Sequence, residues 1–456
     1  MPDKRWFIPW FAVIWACCAV HPVHADEGKL ERVATEKLVA KADPARWVMS
    51  SLQMSPNGEK AAFIVRSGAD KRVLVDGKEE SPYENIGFGK DFFSPDGTWH
   101  VYAALSGGKR FMVIDGTEQK GYDSLGKRGT AISPDSRRSA YAASMGGSWY
   151  AVVDGKEGAK YDSVGDASFA FTPDSRHLAY VACVDRMFAK YCCIVVDGVE
   201  GKHYPAIGEG SPLYSPDGKH LAFIARVGKK WCVVLDGKEG KGYDEIKARS
   251  LVFSPDSRHL AYIAGIPAKN VEQVDEKFRD KTGDRSFVVL DEKEGRQYSG
   301  IVSGSPVFSP DGNHLAYVGR SGRYFLVEDE VEKAAYEISS TVKPVYNPGN
   351  GRLLLVVREK NNYFVVQDGK DSRRYNSISA ESLSFSRDGK HVAFVAGSGD
   401  RQFVVLDGTE GRRYERILPV EAPRISFDGP DSLWYNALKN RTQIYRVTEK
   451  FGELKE

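Results

Sequence analysis

One four-residue turn, repeated ten times at nearly constant pitch, limits what this chain can fold into more than any other feature. Ser-Pro-Asp-Gly and its close variants place proline at Pro56, Pro95, Pro134, Pro173, Pro216, Pro255 and Pro310, and weaker copies follow at Pro348, Arg387 and Phe427. Successive spacings are 39, 39, 39, 43, 39, 55, 38, 39 and 40 residues. Proline presets φ at the second turn position, and Asp and Gly favour a tight reversal, so each copy ends one strand and begins another. An apolar run such as Leu178-Ala179-Tyr180-Val181-Ala182 follows the turn, then a Val-Val-Asp-Gly-Lys-Glu-Gly type phrase, then Tyr-Asp-x-Ile.

Each period reads as four strands. Strand a ends in the Ser-Pro-Asp-Gly turn, and strand b is apolar on both faces, as a strand between two neighbouring sheets should be. Strand c runs into Asp-Gly, which opens a hairpin into strand d. The expected d strands are brief: Tyr122 to Leu125, Tyr161 to Val164, Tyr243 to Ile246. Four-stranded units of ~40 residues in series are the sequence sign of an all-β β-propeller. Ten turns predict ten units in a single ring, because no Gly/Ser-rich linker divides the series. The last unit offers strands near Ala422–Phe427, Ser432–Ala437 and Gln443–Val447 but no fourth of its own. A strand from the segment before Ser51 would complete it and remove two open sheet edges; the alternative for Lys29 to Lys41 is a short helix stopped at Asp43-Pro44. The expected divisions are 1–25 for export, 26–50 with the ring-closing strand, 51–447 for the propeller and 448–456 as a tail.

Phe253-Ser254-Pro255-Asp256 with Leu260-Ala261-Tyr262, and Phe308 to Asp311 with Leu315-Ala316-Tyr317, carry a further signal. Over residues 51 to 447 the chain resembles the TolB-type, WD-repeat-like propellers. The resemblance implies the blade architecture and says little of function, since such blades serve unrelated proteins. TolB itself has an α/β domain before its propeller, and residues 26 to 50 are too few for one, so the expectation is a TolB-type propeller other than TolB.

Charge and the N-terminus narrow the setting. Lys plus Arg number 64 against 62 Asp plus Glu, which disfavours a polyphosphate partner, so no nucleic acid is expected. Asp3-Lys4-Arg5, the apolar run Trp6 to Val20 and the small residue closing Val23-His24-Ala25 read as a signal peptide. The protein is therefore expected in the periplasm or secreted, with no membrane span after processing. An alternative is a lipoprotein anchored through Cys17 in Ile14-Trp15-Ala16-Cys17, which bulky Trp15 disfavours.

The strand order puts the a–b and c–d turns on one face and the b–c and d–a loops on the other. Both long insertions, Val184–Lys190 and Ile266 to Asp284, fall in b–c loops, and variable loops on a rigid scaffold are where binding resides. The d–a loops bring Lys90, Arg128, Asp166, Glu209, Arg249, Lys343, Glu381 and Glu421 toward the central channel as candidate binding residues. Ser51, Ser168, Ser211, Ser250, Ser305 and Ser382 recur at the entry to strand a, a repetition that points to a local backbone hydrogen bond rather than a nucleophile. His177, His220, His259, His314 and His391 share one repeat position on separate blades, without the close ligand spacing of a metal site, so no metal or other cofactor is expected. The repeated tyrosines, from Tyr83 to Tyr414, are expected to pack the blades. Glu79, Glu118, Glu157, Glu200, Glu239, Glu294, Glu332 and Glu410 would fringe the turn face as solvated carboxylates. Cys183 and Cys192 flank the first insertion and are expected to form a disulfide in an oxidising compartment, with Cys193 and Cys232 as buried thiols. The Gly-x-Ser-x-Gly and Gly-Lys-Ser/Thr motifs are absent. The reading favoured is a non-catalytic scaffold that recognises a protein, peptide or glycan in the cell envelope through the loop face. Its rivals are a lyase- or hydrolase-type propeller enzyme acting at the channel mouth and a component of a TolB-like envelope assembly.

Overall fold

The computed structural model describes residues 30–89, 91–127, 129–186, 189–267, 284–336, 343–420 and 422–453. Their strands form ten antiparallel sheets, each a blade with strands in the order a–b–c–d, and the blades close into one propeller ring. The described residues hold one turn of 3-10 helix, Met49–Ser51, and no helix long and apolar enough to cross a membrane.

Blade 4 shows why the repeat folds this way. Its strand b, Leu178–Arg186, pairs with strand c, Ala189–Val196, and side chains alternate between two neighbours. Leu178, Tyr180, Ala182, Cys193 and Val195 pack toward blade 3, while Ala179 and Ile194 pack with Tyr204, Phe223 and Val234 toward blade 5. A blade therefore has no core of its own. Each fully buried Val or Phe stabilises by about 1.5–3 kcal/mol only while the neighbouring sheet is in place. The a strands form the inner edge: Ser384 Oγ of blade 9 donates to the Ile425 carbonyl of blade 10, strand a against strand a.

The phrase read as strand d is divided between two blades. Tyr161 bridges Trp149 of its own blade, whereas Ser163–Val164 pair with Cys183 and Ala182 in strand b of the next. Tyr122 and Tyr243 likewise stay behind, while Ser124–Leu125 and Glu245–Ile246 open the following strand a. Outer strands are thus the Lys-Glu segments such as Lys156–Glu157 and Lys238–Glu239.

The N-terminal segment is a strand and not a helix. Leu30–Lys41 pairs antiparallel with Gln443–Glu453 along its whole length and becomes the outer strand of blade 10. Its partner runs beyond residue 447, so residues 448–453 are part of the closure rather than a tail. Blade 10 then packs on blade 1, where Ala61 joins Leu418, Leu438 and Ile444 and Asn436 Nδ2 donates to the Gly58 carbonyl at 2.9 Å. The export segment 1–25 and Cys17 lie outside the described residues.

Candidate functional site: two unlike faces and an inner ring of loops

The turn face is tied to itself. In each well-formed turn the serine hydroxyl donates to the aspartate two residues on, as Ser94 to Asp96 at 2.6 Å and Ser254 to Asp256 at 2.5 Å. That bond and the backbone N–H two residues further on hold Asp96, Asp217, Asp256 and Asp311 down to about 2. Where serine replaces the turn glycine it adopts positive φ, 63°, 64° and 66° at Ser136, Ser175 and Ser257. Its hydroxyl then accepts the N–H of Asp96, Asp135 or Asp217 in the preceding blade, all at 3.0 Å, which offsets the left-handed backbone. The five repeated histidines clasp the two turns of their own blades: His177–Asp197, His220–Asp236, His259–Asp291, His314–Asp329 and His391–Asp407 lie at 2.6 to 2.7 Å. The Asp329 bond raises His314 above the ordinary histidine value.

The glutamates of the c–d hairpins are not a free acidic fringe. At six joints the glutamate takes a cation from the preceding blade: Lys120–Glu157, Lys202–Glu239, Lys241–Glu294, Arg296–Glu332, Arg373–Glu410 and Arg412–Glu36, at 2.6 to 3.5 Å. The same cation lies over its own blade's tyrosine in Lys120/Tyr122, Lys202/Tyr204, Lys241/Tyr243 and Arg296/Tyr298. Tyr298 Oη donates to Glu332 at 3.1 Å and Tyr414 Oη to Glu36 at 2.8 Å. Burial first, with such carboxylates adding to it, pushes these phenols upward. Glu36 shows the closing strand taking over the role of a repeat glutamate. Most of the hairpin glutamates are exposed, as expected, but their partners stand about a full repeat away in sequence, at a spacing that no local pattern reveals.

The opposite face carries the b–c hairpins. Most are two-residue reversals, as at Ser67↔Asp70, Met145↔Ser148 and Val227↔Lys230. The blade 4 insertion lengthens the strands instead of making a loose loop, with Asp185 paired to Lys190 and Arg186 to Ala189. Alternation between faces continues through those residues, so the ladder simply extends. The second insertion, apart from its flanks, lies outside the described residues.

The loops bearing Asp166, Glu209 and Arg249 interrupt strand a rather than capping the rim. Ser124–Leu125 and Ala131–Ile132 are two halves of one inner strand, and the loop between them sits midway along strand b. Asp166 accepts from the Lys127 N–H at 2.9 Å, and Glu209 pairs with Arg249 at 2.5 Å, so successive loops touch around the ring. Gly129, at φ 85°, passes so close to Gly89 that a Cβ would lie 2.7 Å from its Cα. Lys343 enters strand a of blade 8, and Glu381 borders an apolar recess of about 500 Å³ beside Val307, Val345 and Leu383. Lys90, Arg128 and Glu421 lie outside the described residues. The recurring serines bridge the interruption: Ser168, Ser250 and Ser382 donate to the carbonyl three residues back and accept the N–H of Val181, Ile263 and Val395. Between blades 2 and 3 the loops leave a cavity of about 300 Å³ lined by Gly87, Tyr102, Arg110, Met112, Lys127 and Thr130.

Cys183 and Cys192 face each other across strands b and c of blade 4 and are joined, with S–S 2.08 Å and Cα–Cα 4.0 Å. Their backbones bond outward, Cys192 N–H to Tyr204 and Asp162 N–H to Cys183, which brings the pair close. Cys193 and Cys232 are buried thiols, and burial, with Glu200 beside it, pushes Cys193 up to about 11. The structure also brings together Cys193, Glu200 and His203, whose ligating atoms all lie within 4.8 Å of one another. Spacing alone did not link them, because the hairpin between strands c and d sets their proximity.

No family model and no curated protein matches this chain. Among solved structures it is similar to a eukaryotic initiation factor, 10% identical over 79% of this chain and 96% of that one, TM-score 0.43. An acylaminoacyl peptidase from Pyrococcus horikoshii is 16% identical over 64% of this chain and 52% of that one, TM-score 0.31, so this chain spans about half of it. TolB from Acinetobacter baumannii is 14% identical over 61% and 66%, TM-score 0.26. At such scores the ring is established by this chain's own strand pairing, and function rests on its own residues.

Proposed function

We propose that this chain is a non-catalytic binding propeller, working in the periplasm or secreted, that holds a protein, peptide or glycan of the envelope against its b–c hairpin face and inner loops. The observation that carries this reading is the contrast between the faces. On the turn face, serine, aspartate and histidine side chains bond one another within and between blades. The opposite face varies from blade to blade, with a lengthened hairpin at blade 4 and a further insertion at blade 6, and a cavity opens among the inner loops partway down the ring. Polar groups already bonded within the fold offer little to a partner, whereas unequal loops on a rigid frame supply shape. The Cys183–Cys192 bond suits an oxidising compartment and stiffens the projecting hairpin.

The test places a photo-crosslinking residue at Lys190 on the projecting hairpin, or at Lys219 on the turn face, in cells expressing the full chain. Adducts at 190 and none at 219, with the protein in the envelope or secreted fraction, are expected. Equal adducts at both positions, or protein confined to the cytoplasm, would overturn the proposal.

A further inference from the structure

We infer that the joint between blades 3 and 4 is a transition-metal site in which Cys193 Sγ, a Glu200 carboxylate oxygen and a His203 ring nitrogen bind one divalent ion of the zinc type. The inference begins from three departures from the repeat that meet at one place. Ala159 stands where six other joints carry Lys120, Lys202, Lys241, Arg296, Arg373 and Arg412, and where two more carry Ser81 and Ala334, neither of them beside a cysteine and a histidine. Cys193 stands where other blades carry Phe111, Tyr150, Phe287, Phe364 and Phe403. His203 stands where they carry Gly121, Lys160, Gly242, Gln297, Arg374 and Arg413. Each change alone would be ordinary drift. Together they remove the cation that neutralises the joint glutamate and add two soft or borderline donors beside it.

The geometry follows. Glu157, Glu239, Glu294, Glu332, Glu410 and Glu36 each have a lysine or arginine from the preceding blade. Among the described residues Glu200 has only His203, at 3.5 Å, as an ion-pair partner. The hairpin register sets Glu200 opposite Val195, and Tyr204 bridges Cys192, so Glu200, His203 and Cys193 share one face of the sheet. Cys193 is 1% exposed, whereas the His203 and Glu200 side chains are 29% and 41% exposed, so sulfur is shielded and an ion enters from solvent. Tetrahedral bonds of about 2.0–2.3 Å bring ligand atoms to about 3.3–3.8 Å apart, which requires closing by roughly an ångström. The two partly exposed side chains can supply that movement. Thiolate, imidazole and carboxylate together fit zinc, cobalt or copper better than calcium or magnesium, which favour oxygen throughout. Binding exchanges the thiol proton for the ion, the proton leaves to solvent, and a fourth position stays open to water. The next joint is an internal control. Cys232 and Glu239 repeat the thiol and the carboxylate, but Lys202 supplies the cation and Gly242 replaces the histidine.

The experiment titrates untagged, chelator-treated protein, disulfide intact, with Co²⁺ and then Zn²⁺. The expected result is one equivalent of cobalt with a thiolate-to-cobalt absorption band, displaced by zinc. Ala159→Lys restores the repeat cation and His203→Gly restores a repeat residue, neither in the core. Each is expected to keep the parent circular dichroism and to weaken cobalt at least tenfold. A parent protein without the thiolate band, or a band unchanged in both variants, would overturn the inference without touching the binding role proposed for the loop face.

Discussion

Replacing Glu449 by leucine tests how the ring is closed. Glu449 is 1% and Arg32 7% exposed, and their side chains meet in a pair made of two bonds, Nε at 2.8 Å and Nη2 at 2.5 Å. Tyr435 Oη donates to the other carboxylate oxygen at 2.6 Å, while Arg32 Nη1 reaches the Val404 and Thr409 carbonyls of blade 9. One side chain of the closing strand thus ties it to blade 10 and to the blade before. Glu449→Leu leaves the guanidinium buried with two carbonyls and strands the Tyr435 hydroxyl. Breaking a buried pair from one side costs about 3–5 kcal/mol. At about 1.4 kcal/mol per decade, opening of the closing strand should rise by roughly two to three and a half decades. Native-state hydrogen exchange reads this directly in amides of 30–41 and their partners in 443–453, while blades 4 to 6 should be little changed. The double variant Arg32→Met/Glu449→Leu removes both charges together and should recover most of the protection. Less than a tenfold change in the single variant, or a double variant as open as the single, would refute the argument that this pair is the latch.

Three further outcomes are expected. The depressed Asp96, Asp217, Asp256 and Asp311 contribute stability that is complete above the ordinary aspartate value and is lost as pH falls through about 2. Circular dichroism on acidification should therefore hold to about pH 4 and change below it, and Asp256→Asn should remove that blade's share of the pH dependence. Ser382→Ala strands the buried Val395 N–H and should cost about 1–3 kcal/mol in urea unfolding, whereas a serine on a solvated loop would cost almost nothing. Peptide mapping without reduction should recover Cys183 linked to Cys192, and loss of that ten-residue closure should cost about 2–3 kcal/mol in the entropic picture; a Cys193–Cys232 link would contradict it.

The strand pattern was legible because proline and glycine turns act locally and strand b is buried on both faces. Less legible was everything set by a neighbouring blade. The exception is Leu30–Lys41, which has the composition of a helix but reads as the closing strand from the missing fourth strand of the last blade, and which pairs with the open edge of Gln443–Glu453. Tyr161 and Val164 lie three residues apart yet belong to different sheets, since the chain crosses between them, and no periodicity marks a crossing. Asp166, Glu209 and Arg249 sit lower than the rim expected for them, because a gap in the middle of strand a, bridged at Asp166 by the Ser168 hydroxyl, looks in sequence like an ordinary loop. The cluster Cys193, Glu200 and His203 was readable only by comparing what each copy of the repeat lacks.

That crossing makes the unit of inheritance different from the unit of shape. Any window of one period, wherever it starts, contains the parts of one complete blade, but takes some from each of two neighbours. A tandem copy of one period taken from the internal blades therefore inserts a whole extra wedge and leaves the latch between the first and last strands intact. Removing one period subtracts a wedge in the same way. Diameter can then change in single steps without any intermediate that leaves a half-built sheet, and a lineage of such chains could explore rings of different girth while every turn, clasp and stitch kept its partner.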